Sequence, residues 1–144
     1  MKFSAIVLVV CAATLVTGLA VARDSHLKFP IKDAMATADA KEKLGTDVKF
    51  VFGAAGPAGA KVLGTFTSNK KTNFANKSDK EGCERAFLSA MLSFKERAIA
   101  EGGNAVVNIQ SFYKKNEFSS ATEYECGAGA IMGGVTFRGT VVKL

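Results

Sequence analysis

Apolar residues recur at helical spacing most clearly after Ser78. Cys83, Phe87, Ala90, Met91, Phe94 and Ala98 fall on one face, with Leu88, Leu92 and Ile99 beside them, while Glu84, Arg85, Lys95, Glu96 and Glu101 lie mostly outward. Ser78-Asp79-Lys80-Glu81 is a capping box, with the serine oxygen set to accept from the Glu81 amide and the glutamate set to reach back. A helix is therefore predicted to start at residue 79 and to stop at Gly102-Gly103. A second helical face, Ile31, Ala34, Met35 and Ala38, predicts a short helix that ends before Gly45, after an extended lead-in through Leu27-Lys28-Phe29-Pro30.

Between and after the helices the period drops to two. Val48, Phe50 and Phe52 alternate with polar positions, and Lys61 to Ser68 resumes the pattern through Val62, Leu63 and Phe66, so the connector from Gly53 to Ala60 reads as a hairpin loop. The polar run Asn69 to Lys77 is expected to be a surface loop anchored by Phe74. Ala105 to Tyr113 and Phe118 to Cys126 read as two strands of a hairpin turned by Lys114-Lys115-Asn116-Glu117. From Ala128 the chain is expected to stay extended through Val135, Phe137 and Val141. A short helix, two strands, a long helix and two or three further strands make an α+β sandwich, its long helix on one sheet face.

The first residues change the picture of where the chain works. Met1-Lys2-Phe3-Ser4 precedes an apolar run from Ala5 to Leu19 and the small-x-small triplet Ala20-Val21-Ala22, the pattern of a signal peptide over residues 1–22. The run is shorter than the roughly 20 residues that span a bilayer, and Cys11 is expected to leave with it. The mature chain, residues 23–144, has the length of one domain. It keeps 18 Lys plus Arg against 13 Asp plus Glu, a charge of +5. That excess favours an anionic partner such as an envelope polymer, lipid head groups or nucleic acid, of which export disfavours nucleic acid most. An envelope protein is the other partner expected, with no nucleic acid and no stable membrane insertion once the leader is cut. A periplasmic or secreted chain with two remaining cysteines is the setting for a disulfide, and Cys83 with Cys126 is the one pairing available.

Catalytic chemistry finds few residues to work with. His26 is the one histidine, four residues from the new N-terminus, where an oriented imidazole is hard to hold. The glycine-rich connector lacks the Gly-Lys-Ser/Thr ending of a phosphate loop. No Cys-x-x-Cys, histidine pair or Asp-rich loop offers a metal site. Glu123 and Glu125 share a strand face that is expected to be solvated. Two features remain: basic loops carrying Lys70, Lys71, Lys77, Lys114 and Lys115, a candidate anion- or partner-binding patch, and the bare positions Gly127, Gly129, Gly133 and Gly134, where another backbone has room to approach.

The run Arg97-Ala98-Ile99-Ala100-Glu101-Gly102-Gly103-Asn104-Ala105-Val106-Val107-Asn108-Ile109 resembles the helix-to-strand joint of the YbjQ-like domains, and Gly139-Thr140-Val141-Val142-Lys143 resembles their final strand. The same joint occurs in the Rcs envelope-stress sensor lipoprotein. Thr67 to Asn73 and Lys114 to Cys126 resemble small exported bacterial proteins catalogued as excinuclease-subunit-like. An excision-repair ATPase needs phosphate loops and zinc cysteines, which these residues do not supply. The resemblance implies a βαββ-type domain, one long helix on a mainly antiparallel sheet, with no enzymatic activity and no cofactor. It also implies a ring-shaped homo-oligomer from the YbjQ-like side and a helix-to-strand disulfide from the Rcs side. Three functions are thus expected in turn: a non-catalytic periplasmic domain that binds a protein or an anionic envelope component, with envelope-stress response as its setting; a structural homo-oligomer; or a metal-binding or redox module.

Overall fold

A computed structural model describes residues 23–144; the predicted signal peptide lies outside the described residues. Strand β1 (Ser25–Pro30) leads into two short helices, α1 (Ile31–Ala36) and α2 (Ala38–Leu44). Strands β2 (Lys49–Phe52) and β3 (Lys61–Asn73) follow, then the long helix α3 (Asp79–Ala100). Strand β4 (Ala105–Ser111), a 3-10 turn at Tyr113–Lys115, β5 (Glu123–Ala128) and β6 (Met132–Lys143) complete the chain.

The six strands form one sheet, antiparallel except where β2 runs parallel to β4. Strand β6 is its spine. Along one edge it pairs with β3 from Lys61↔Lys143 to Asn73↔Met132. Its other edge is shared: Gly133 and Gly134 pair with β5, and Phe137 to Val142 pair with β4. Strand β1 extends the sheet beyond β5, from Ser25↔Ala128 to Pro30↔Glu123, so the extended lead-in is a full strand.

Helix α3 covers one face of this sheet with the stripe the sequence marked. Cys83, Phe87, Ala90, Met91, Phe94 and Ala98 are all buried. Phe87 meets Tyr124 at 4.8 Å and Phe137 edge-on at 5.6 Å between ring centroids, with Phe52 at 5.8 Å. Burying each such side chain is worth roughly 1.5–3 kcal/mol over exposing it. Ser78 caps the helix by accepting the Glu81 amide at 3.1 Å. The Glu81 carboxylate instead faces Arg85, one turn on. Gly102, at φ 76°, closes the other end, its N–H donating to Ile99 O and that of Gly103 to Ala98 O. Cys83, in the first turns, is joined to Cys126 of β5 across a Cα separation of 6.0 Å.

The α+β class stands, and several local expectations give way to specific contacts. The first helix is two, because Thr37 adopts ψ 148°. Its hydroxyl donates to Ala34 O at the end of α1 and accepts the Ala40 amide at the start of α2. Ile99 is exposed rather than beside the core stripe. Residues 69–73 are strand, not loop, because β6 offers them a continuous partner edge. Neither predicted hairpin forms as such: β2 and β3 pair with β4 and β6 respectively, and the backbone pairing of β4 with the later segment is the isolated bridge Ser111↔Phe118. The hairpin that does form is β5–β6, because Gly129 to Ile131 turn the chain where continuous extension was expected.

Two stability predictions follow from this core. The disulfide closes a loop of sequence separation 43, which in the chain-entropy account is worth roughly 4 kcal/mol. Cys83→Ser should lower the thermal midpoint by on the order of 15 °C under oxidising conditions and leave it unchanged in reductant; a drop that persists in reductant would assign the effect to packing. Tyr124 is fully buried and its hydroxyl has no hydrogen-bond partner. Burial, helped by the charges of Glu84 and Asp33, raises its pKa. The folded chain therefore keeps the phenol proton where the unfolded chain loses it, and stability declines as pH climbs above about 10. Tyr124→Phe should raise the denaturant midpoint, by on the order of 1 kcal/mol, and flatten that alkaline decline; a loss of stability would reveal a partner for the hydroxyl.

Candidate anion-binding cleft

The face of the sheet opposite α3 carries the other half of each strand's alternation. On β3 the Ser68 hydroxyl donates to Ala90 O of α3 at 3.2 Å, so even-numbered positions face the helix and odd-numbered ones the open face. Lys71 therefore stands on the open face beside Asn69, while Lys70 is turned to the helix side and half-buried. Lys71 pairs across the strands with Gly134, whose missing side chain leaves room for the lysine stem.

Lys114 reaches the same place by a different route. Lys114 and Lys115 both adopt left-handed backbone, at φ 51° and 63°, a conformation that costs about 1–2 kcal/mol per non-glycine residue. The turn they make lays the Tyr113 ring over Gly127 and within 5.1 Å of the His26 ring. It also sends the Lys114 ammonium to Asp24 at 3.1 Å, and that hydrogen bond holds the lysine pKa above its ordinary value.

These residues surround a cleft of about 370 Å³. Lys71, Lys114, Arg23 and Asn69 supply polar groups, with the carboxylate of Asp24 among them; Tyr113, Thr136 and Met132 line the rest. Gly127, Gly129, Gly133 and Gly134 all border it. Two features that the sequence kept apart, the basic residues and the bare glycines, thus meet in one concavity. Lys77 and Lys115 lie outside it, as does Lys70.

Each glycine there has a neighbour within the chain. A side chain at Gly127 would overlap Tyr113, and one at Gly133 would overlap the Phe74 ring. At Gly134 the obstacle is the Lys70 carbonyl, and at Gly129 the Met132 carbonyl. Phe74 is itself wedged between Gly133 and Gly82 of α3. The close approach anticipated at these positions is made by the chain's own rings and backbone.

The cations differ in what they already hold. Arg23 is ion-paired with Asp79, which raises the arginine pKa through that hydrogen bond, and Lys114 is paired with Asp24. Lys71 has no acidic partner among the described residues. Beside the cleft, His26 Nε2 lies 2.9 Å from Glu125 Oε2, and Ser111 Oγ accepts the Glu125 amide at 2.9 Å. Two expectations change here. His26 is fixed within β1 by pairing with Gly127, and Glu125 is buried beneath this cluster while Glu123 is exposed. Among the described residues no three His, Cys, Asp or Glu side chains converge as metal ligands, and no helix is long and apolar enough to cross a membrane.

Arg23, Asp24, Asn69 and Tyr113 were not singled out from the sequence. Only Asn69 carried a signal, since it shares the period-two face of Lys71 once β3 is extended that far. Comparison with protein-family models, curated proteins and solved structures finds no match.

The floor of the cleft is open to a direct check. Gly127→Ala should displace the Tyr113 ring and destabilise the fold by about 1–3 kcal/mol, the usual cost of forcing an extra methyl group into a packed site. Denaturant unfolding measures the first effect and magnetisation transfer between the Tyr113 and His26 rings the second. Unchanged values of both would show that the ring is not seated on the glycine.

Proposed function

We propose that this domain is a non-catalytic, exported binding module whose cleft takes the phosphate or carboxylate groups of an anionic envelope component. The observation that carries this reading is the convergence of Lys71, Lys114 and Arg23 on one cleft bordered by glycines. Strain supports it too. Two consecutive left-handed lysines are retained at the turn that aims Lys114 inward, and such strain concentrates where a site is held in place. The buried Cys83–Cys126 disulfide accords with work in the periplasm or outside the cell. A role in envelope-stress signalling rests on the resemblance of the helix-to-strand joint. The oligomer reading draws less support, because the glycines meant for a neighbour's backbone are approached from within.

Polyphosphate is a suitable probe, with neutral dextran of similar length as control. Polyphosphate should shift the amide resonances of Lys71, Lys114 and Gly134, and Lys71→Glu with Lys114→Glu should weaken its binding roughly tenfold or more, a loss of about 1.4 kcal/mol. Dextran should shift nothing. Unaltered affinity in the double variant, or shifts confined to Lys70, Lys77 and Lys115, would place the anion elsewhere and overturn the reading.

A further inference from the structure

Two of the largest exposed apolar side chains are neighbours at one end of the cleft, Met132 in its lining and Ile131 just before it in the chain. Ile131 is 66% exposed and Met132 50% exposed. They form the tip of the β5–β6 hairpin, and the tip is held in place. The Phe74 amide donates to Ile131 O at 2.6 Å and the Gly129 amide to Met132 O at 2.9 Å, with Phe74 buried below.

The tip has cations beside it. Met132 pairs with Asn73 and Gly134 with Lys71, so the Lys71 ammonium rises from the same face one pleat away. Lys77 lies on the turn that starts at Phe74, its amide donating to Phe74 O. The nearby acids are already engaged, Asp24 with Lys114 and Asp79 with Arg23.

We propose that this end of the domain docks on the surface of an anionic bilayer, with Ile131 and Met132 entering between the headgroups while Lys71 and Lys114 take lipid phosphates. The inference rests on the anion-cleft reading above and narrows its ligand to a lipid surface. Apolar side chains on a fixed turn, flanked by cations, match the layering of a membrane interface, where phosphates lie over acyl carbons. A soluble polyanion would satisfy the lysines and leave Ile131 and Met132 in water. With only two apolar residues the attachment is reversible, since lasting membrane binding needs more buried apolar surface or a second anchor.

Sedimentation of the purified protein with vesicles tests this. It should pellet with mixed phosphatidylglycerol and phosphatidylcholine vesicles, stay in solution with phosphatidylcholine alone, and be released by salt. Ile131→Ser, outside the cleft lining and without added charge, should cut vesicle binding roughly tenfold while leaving the thermal midpoint and polyphosphate affinity intact, and Lys71→Glu should weaken both kinds of binding. Vesicle binding that survives Ile131→Ser would overturn the insertion of the tip. Polyphosphate binding without vesicle binding would overturn the bilayer and leave the cleft reading standing. Loss of both in the unaltered protein would overturn the two together.

Discussion

One edge of strand β6 has two claimants. Beta-sheet pairing allows one neighbour per edge at each position, yet β5 and β4 both pair on the same side of β6, at Gly133–Gly134 and at Phe137–Val142 respectively. The sheet must therefore part between them, and the Phe112 amide fills part of the gap by donating to Thr136 O at 2.8 Å. The residues that follow turn sharply, through left-handed Lys114 and Lys115, and the ring of Tyr113 comes down on Gly127. The cleft is what such a division leaves on the open face. Its position is thus a consequence of strand order, and its charge a consequence of which side chains stand at the parting.

The same constraint explains why small residues gather there. Where β5 leaves β6, strands and rings approach closer than side chains allow, so Gly127, Gly133 and Gly134 are required by Tyr113, Phe74 and the Lys70 carbonyl. Phe74, between Gly82 and Gly133, ties the start of α3 to the hairpin. The Cys83–Cys126 bond ties it to β5 a short way along. One noncovalent and one covalent link thus hold the parted strands to the same helix, and the open face can be cut by a cleft without losing its backing.

The elements whose apolar period is long and uninterrupted were legible in the sequence. Helix α3, with its cap and its buried face, needed only local spacing and Ser78. What local spacing cannot carry is strand partnership. Residues 69–73 look like a loop until β6 supplies an edge. Phe118 to Cys126 looks like the return arm of a hairpin until β6 takes β5 and β4 one after the other along the same edge. Thr37 was hidden for another reason: the apolar face continues past it, and only its hydroxyl, bonded to both sides, breaks the helix. For the site, charge marked the right loops and alternation decided within them. Lys70 and Lys71 are neighbours in sequence and lie on opposite faces of the sheet. Glu125 shows the limit of a pattern argument, since a face assigned to solvent is covered by His26 and the turn that carries Tyr113.

Net charge alone says little about binding here, because most of it is already answered locally. Arg23 and Lys114 each hold an aspartate, so an arriving anion meets them as dipoles rather than as free cations. Both members of the Lys114–Asp24 pair are well exposed, and exposed pairs contribute little to stability. An anion can therefore take the lysine from Asp24 without loosening the fold, provided it brings more than one negative oxygen to outweigh the carboxylate it displaces. Lys71 has no such exchange to make. On the proposed reading, Lys71 would engage first as an uncompensated charge and Lys114 would follow by giving up Asp24. Such a site favours groups that carry several anionic oxygens close together over single carboxylates, as a phosphate does.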